Sequence, residues 1–194
     1  MEEKWSFKRE LWRKTVHLCS IFVVFLYFVM RDLYSREIAL LSLLFVLLLF
    51  MIYEFMRLKI KLKLPFSDLA RLKEKNKINA GIYEISGILI SFAVFEENIA
   101  LSASLMVIVG DVVVGLLRHR KNIKKSWNRR LYKSAMFIEF LVNFVLAFLV
   151  LQTFLVSFVM ALVAVGAEAM FDSEDNLAIP LFAGFAGQMI LWVI

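Results

Sequence analysis

The chain has 194 residues, 61% of them hydrophobic, and a mean hydropathy of +0.76; soluble domains are about 45–50% apolar, so water is excluded as its main solvent. The net charge of +6 does not point to nucleic acid. In a membrane chain Lys and Arg first report topology and attraction to anionic headgroups, and no interleaving of aromatic and basic residues accompanies them here.

A bilayer core takes about 20 apolar residues per helix. The basic N-terminus leads into an apolar run without an A-x-A-like site, which predicts a first span rather than a cleaved signal peptide. Spans are predicted at Val16–Met30, Ile38–Met56, Ala80–Phe95, Ile99–Leu117, Ala135–Leu151, Phe154–Met170 and Leu177–Ile194. Gln152 and Thr153 form the polar break that divides the long apolar stretch from Ala135 to Met170. The expected fold is all-α, a polytopic transmembrane bundle of about seven spans in a single domain, residues 1–194. Cys19 is the lone cysteine, which excludes an intramolecular disulfide and a cysteine metal cluster and leaves a buried reduced thiol as the expectation.

Positive charge sets the orientation, because short loops rich in Lys and Arg stay on the cytoplasmic side. Of 23 such residues, 21 lie before Val16, between Arg57 and Lys77, or between Arg118 and Lys133, while Arg31 and Arg36 fall on the other side. The N-terminus is therefore expected inside, and seven spans would put the C-terminus outside.

Five acids stand within or at the ends of these spans, where carboxylates are costly and usually functional: Glu54, Glu84, Asp111, Glu139 and Glu168. Each is expected within about 10 Å of the cytoplasmic boundary at 1.5 Å rise per residue. A carboxylate layer facing basic loops suits a divalent cation and a polyphosphate. For Glu54 the simpler expectation is an ion pair with Arg57 one turn on. Glu10, Lys14 and His17 share one helical face, with Arg13 one residue to the side. That face suits a phosphate, and equally a snorkelling cationic cuff with a satisfied histidine. Asp111, after Gly110 and inside an apolar helix, needs a partner such as a metal or a buried Lys. Asp175 and Asn176 suit either metal ligation or the capping of the last helix.

Taken in order, these polar islands resemble the dolichol kinase, phytol kinase and yeast-type diacylglycerol kinase family. The resemblance runs through ELWRKTVHL with Glu10, Arg13, Lys14 and His17, then YEFMR, AGIYEISGILISFAVF, the G-D pair Gly110 and Asp111, the K-S pair Lys133 and Ser134, and EDNLAIPL, similar to D-N-x-x-I-P-L at Asp175, Asn176, Ile179, Pro180 and Leu181. It implies a membrane-embedded kinase that transfers the γ-phosphoryl group of an NTP, CTP in the family, to a long-chain lipid alcohol such as an isoprenoid alcohol. It further implies Mg²⁺ at Asp111 and Asp175, with Glu139 as a further ligand if the register slips. Arg13, Lys14, Arg118, Arg120, Lys133 and Ser134 would hold phosphate, Asn176 would orient a ligand or phosphate oxygen, and His17 or Glu84 would act as base. The chain departs from the family after Gly115, where the glycine-rich loop is replaced by basic residues and Ala135, Met136 and Phe137 stand in place of E-G-S. The phosphate cradle is thereby shifted from backbone amides toward side-chain charge. Two other readings stay open: a CTP-dependent cytidylyltransferase making a CDP-lipid, and a non-catalytic membrane protein derived from the kinase fold.

Overall fold

The computed structural model describes residues 7–60, 78–120, 129–171 and 174–193, with side chains at all of these but 7–10, 114, 118–120 and 129–132. Hydrocarbon offers no water to peptide groups, so a membrane chain folds into segments that close their own hydrogen bonds. All regular structure among the described residues is helical: α1 (Phe7–Leu18), α2 (Ile21–Leu33), α3 (Arg36–Phe55), α4 (Ala80–Val94), α5 (Glu97–Leu105), α6 (Asp111–Arg120), α7 (Arg129–Leu151), α8 (Phe154–Met170) and α9 (Asp175–Val193). A π turn at Met56–Ile60 continues α3, and another at Met106–Gly110 joins α5 to α6.

Five stretches are long and apolar enough to cross a bilayer: Leu11–Leu33, Arg36–Ile60, Glu97–Leu117, Lys133–Leu151 and Asp175–Val193. The other two expected spans form shorter helices of 15 and 17 residues. At 1.5 Å per residue they extend about 22 and 26 Å, short of a hydrocarbon core of about 30 Å.

Local chemistry sets the helix ends. Ser35 caps α3 by accepting from the Ile38 amide at 3.4 Å, and Asn79 caps α4 by accepting from the Gly81 amide at 3.0 Å. The Gln152–Thr153 break falls between α7 and α8 as expected, with Gln152 at φ 54°. Two expected spans are interrupted. The first bends at Cys19 and Ser20, where Ser20 N bonds the His17 carbonyl at 3.0 Å in a tightened turn; α1 can then lay its polar face on α6 while α2 runs on separately. The fourth is broken by its π turn, which widens the helix by one residue beside Asp111.

The α5 segment and the π turn after it run through the centre of the bundle, with Ala100, Ala103, Val107 and Ile108 fully buried. Apolar side chains gain little from leaving lipid, so helices associate here by close packing at small residues. A Cβ added at Gly87 would come within 2.6 Å of Pro180 Cγ, and one at Gly187 within 2.5 Å of Met160 Sδ, which brings α9 against α4 and α8. At the end of the bundle away from α1, Arg31 pairs with Glu97 and Asp32, Tyr27 Oη donates to Glu97 at 3.1 Å, and Arg36 donates to the Phe92 carbonyl at 3.0 Å. Both arginines of the sparsely charged side are thus tied to neighbouring helices.

Candidate functional site

The site begins on α1. Lys14 is 2% exposed, and its ammonium donates to the Asp111 carbonyl oxygen at 3.0 Å and forms an ion pair with Asp111 Oδ2. Gly115 permits this approach. A Cβ there would overlap Lys14 Cε and lie 2.7 Å from its Nζ, and residue 115 shares a helical face with Asp111 one turn earlier. Gly110 makes similar room for Asn143, whose carboxamide occupies the space a Cβ would take.

His17 completes the cluster from the next turn of α1. Its Nδ1 lies 2.9 Å from Glu84 Oε2, and its Nε2 lies 3.1 Å from the Val107 carbonyl oxygen and 3.4 Å from Asp111 Oδ2. A carbonyl only accepts, so the hydrogen-bond network assigns a proton to Nε2. Nδ1 and Glu84 Oε2 then share a second proton, as imidazolium with carboxylate or as imidazole with carboxylic acid. The π turn places the Val107 carbonyl at this point, and such turns recur at functional sites. Glu84 is 1% exposed, and its other oxygen, Oε1, has no hydrogen-bond partner among the described residues. A buried acceptor left in this state is costly unless something fills it.

Asp175, the first residue of α9, accepts from the Asn176 amide at 2.8 Å and lies within electrostatic reach of Glu168, Asp111 and Lys14. Arg13 lies within reach of Asp111. The fold therefore draws Arg13, Lys14, His17, Glu84, Asp111 and Asp175 to one end of the bundle from four separate segments. Asn176 is buried beside them and donates to the Ala80 carbonyl at 3.4 Å. Glu139 is buried on α7, one turn before Asn143 and on the same face. Lys133 and Ser134 stand exposed near the start of α7. The side chains of Arg118 and Arg120 lie outside the described residues, as does that of Glu10. Glu54 makes a two-point pair with Arg57, at 2.8 and 2.6 Å, and accepts from the Asn79 amide at 2.7 Å. Its role is to join α3 to the start of α4, close to the simple ion pair that its spacing suggested.

Among the described residues no three of His, Cys, Asp and Glu gather as a metal site built by protein alone. Mg²⁺ is commonly held by one or two carboxylates together with substrate phosphates. Asp111 and Asp175, the first residues of α6 and α9, would each offer a carboxylate to such an ion, with Asp111 already paired to Lys14.

A cavity of about 470 Å³ adjoins the cluster between α1, the start of α2, α3 and α4. Arg13, His17, Glu84 and Tyr53 are among its polar lining residues, and Val16, Val23, Leu49, Phe50 and Ile85 among its apolar ones. Leu49, Phe50 and Cys19 are exposed on the outer surface, so the mouth opens on the apolar flank of the bundle. The thiol is not buried as expected, because the bend at Cys19 turns it outward. No spacing rule announces this cavity. Gly115, four residues after Asp111 on an otherwise bulky apolar helix, is the sequence signal that a side chain from elsewhere packs there.

Gly115→Leu is expected to drive Lys14 off Asp111 and leave both charges poorly compensated. Thermal unfolding in detergent should show a drop of several degrees, as for the loss of a buried ion pair. An unchanged melting temperature would mean that the Lys14 contact adds nothing to stability.

Comparison with protein-family models gave no match for this chain, and comparisons with curated proteins and with solved structures likewise gave none.

Proposed function

We propose that the protein is a membrane-embedded kinase that transfers the γ-phosphoryl group of an NTP, CTP by resemblance, to the hydroxyl of a long-chain lipid alcohol. The observation that carries this reading is that His17 and Glu84, which belong to the Lys14–Asp111–His17–Glu84 cluster, also line a largely apolar cavity. A lipid tail lies along apolar walls while its hydroxyl reaches the titratable groups. Phosphoryl transfer asks a protein mainly to position groups and neutralise charge. The alcohol proton passes to Glu84, the alcohol oxygen bonds the γ-phosphorus, and the bond to the β–γ bridging oxygen breaks to release the nucleoside diphosphate. Arg13 and Lys14 steady the phosphate oxygens, with Lys133 and the basic segment after Arg118 supplying further positive charge. Mg²⁺, held by Asp111 and Asp175 together with the phosphates, supplies charge neutralisation when bound.

The charge count further supports seven spans, a cytoplasmic N-terminus and a site on the cytoplasmic face. Reporter fusions at residues 1 and 194 are expected on opposite sides of the membrane, and the same side for both would overturn this arrangement. Purified protein, a panel of lipid alcohols and each radiolabelled NTP test the activity. Label in the extracted lipid with release of nucleoside diphosphate is expected. Pyrophosphate release from a lipid phosphate would instead establish a cytidylyltransferase. One observation favours a non-catalytic protein, since Asp111 is already engaged by the Lys14 ammonium; the absence of label with every alcohol and nucleotide would decide for it.

A further inference from the structure

Lys14 is the counter-ion of the acids to which the proposed function gives Mg²⁺. Its ammonium bonds both Oδ2 and the backbone carbonyl oxygen of Asp111, lies within electrostatic reach of Asp175, and is almost wholly buried. It is a closer contact of that carboxylate than His17, whose Nε2 stands at 3.4 Å with its proton on the Val107 carbonyl. The end of the lysine side chain passes over Gly115, where a Cβ would overlap Cε and lie 2.7 Å from Nζ and 3.6 Å from Cδ. The ammonium thus reaches Asp111 across a bare stretch of α6 on a flexible four-carbon stem, and the Asp111 side chain keeps 15% of its surface exposed, so a ligand can approach it.

We infer that Lys14 is a built-in competitor of the divalent ion: it must leave Asp111 before the ion binds, and it leaves for phosphate oxygens, so the ion binds well only together with a polyphosphate. An ammonium and a divalent ion on one carboxylate repel strongly where little water screens them. A buried ammonium pushed off its partner with no new acceptor is costly in turn. A polyphosphate that arrives with the ion brings oxygens that accept from the displaced ammonium, and the cost is offset only when both are present. By linkage each ligand then raises the affinity of the other by the same factor. The Lys14–Asp111 pair in this way closes the acids to a free cation and opens them to a cation carrying phosphates. The inference rests on the kinase reading for its metal and deepens it by giving the order of events at the site, but it is measured by binding without turnover.

The test is calorimetry on the full-length protein in detergent, with Mn²⁺ alone and with a preformed Mn²⁺–tripolyphosphate complex as probes. The parent protein is expected to bind the complex at least about tenfold more tightly than Mn²⁺ alone, within the usual range of coupling between sites. Lys14→Met removes the competitor and keeps its length, and is expected to tighten Mn²⁺ alone by about tenfold or more. Adding Asp111→Asn to Lys14→Met is expected to cancel that gain. Should Lys14→Met fail to fold, Gly115→Ala keeps the charge but sets a methyl group where the end of the lysine lies, and it is expected to tighten Mn²⁺ alone as well. Equal affinity of the parent for the two probes would overturn the coupling. Unchanged Mn²⁺ affinity in the folded variant would overturn the competition, and a gain that survives Asp111→Asn would place the ion elsewhere and overturn it too. The predicted Mn²⁺ affinities without phosphorylation of any alcohol leave the exchange standing and remove the kinase reading; phosphorylation with Mn²⁺ affinity indifferent to Lys14 does the reverse.

Discussion

Under the proposed kinase function, Asp111→Asn is expected to lower lipid phosphorylation by about 10³-fold or more, because a carboxylate that held the metal would act on the charge that develops in transfer. The structure adds a complication absent from the spacing alone. Asp111 is also the partner of the buried Lys14 ammonium, and removing one member of such a pair costs about 3–5 kcal/mol. Lost activity in the single variant therefore does not separate chemistry from folding. The compensated variant Lys14→Gln with Asp111→Asn does so, since it removes both charges and keeps both sizes. Its melting temperature is expected to return most of the way to that of the parent, with activity still lost. Recovered activity would mean that Asp111 serves only to hold α6 on α1. Asp175→Asn is expected to cost most of the activity too, and to add little in the presence of Asp111→Asn, because members of one catalytic unit are non-additive. Fully additive losses would separate the two acids into independent roles.

Under the same proposal, in which Glu84 is the base, Glu84→Gln is expected to lower kcat by about 10²–10⁴-fold, the usual worth of a positioned general base. KM for the alcohol should change little. A glutamine donates its amide hydrogen to an unprotonated His17 Nδ1 and keeps the size of the side chain. It keeps the packing of the cluster and loses the capacity to take a proton from the alcohol. Steady-state kinetics on folded protein distinguish the roles: a raised KM with unchanged kcat would make Glu84 a binding residue, and unchanged values of both would place the base elsewhere. His17 also lines the cavity, but its Nε2 proton is committed to the Val107 carbonyl and its Nδ1 to Glu84, so in this scheme it orients Glu84 and does not take the proton.

What could be read from the sequence was what depends on near neighbours and on solvent. Apolar runs dictate helices because a chain in hydrocarbon has no other way to satisfy its peptide groups, and the turn at Gln152 and Thr153 follows because an unbroken run from Ala135 to Met170 is too long for one span. The pairing of Glu54 with Arg57 was legible for the same reason, being a contact of one helical turn. What only the tertiary structure decided was which distant groups meet. Lys14 and Asp111 are 97 residues apart, and no local periodicity distinguishes an aspartate that awaits a metal from one that already holds a lysine. The bend at Cys19 and the π turn at Met106–Gly110 were equally hidden. Each departs from a regular helix to serve a contact made elsewhere, the first letting α1 lie on α6 and the second aiming the Val107 carbonyl at His17. The cavity follows from those same departures, since its walls come from helices that only folding brings side by side.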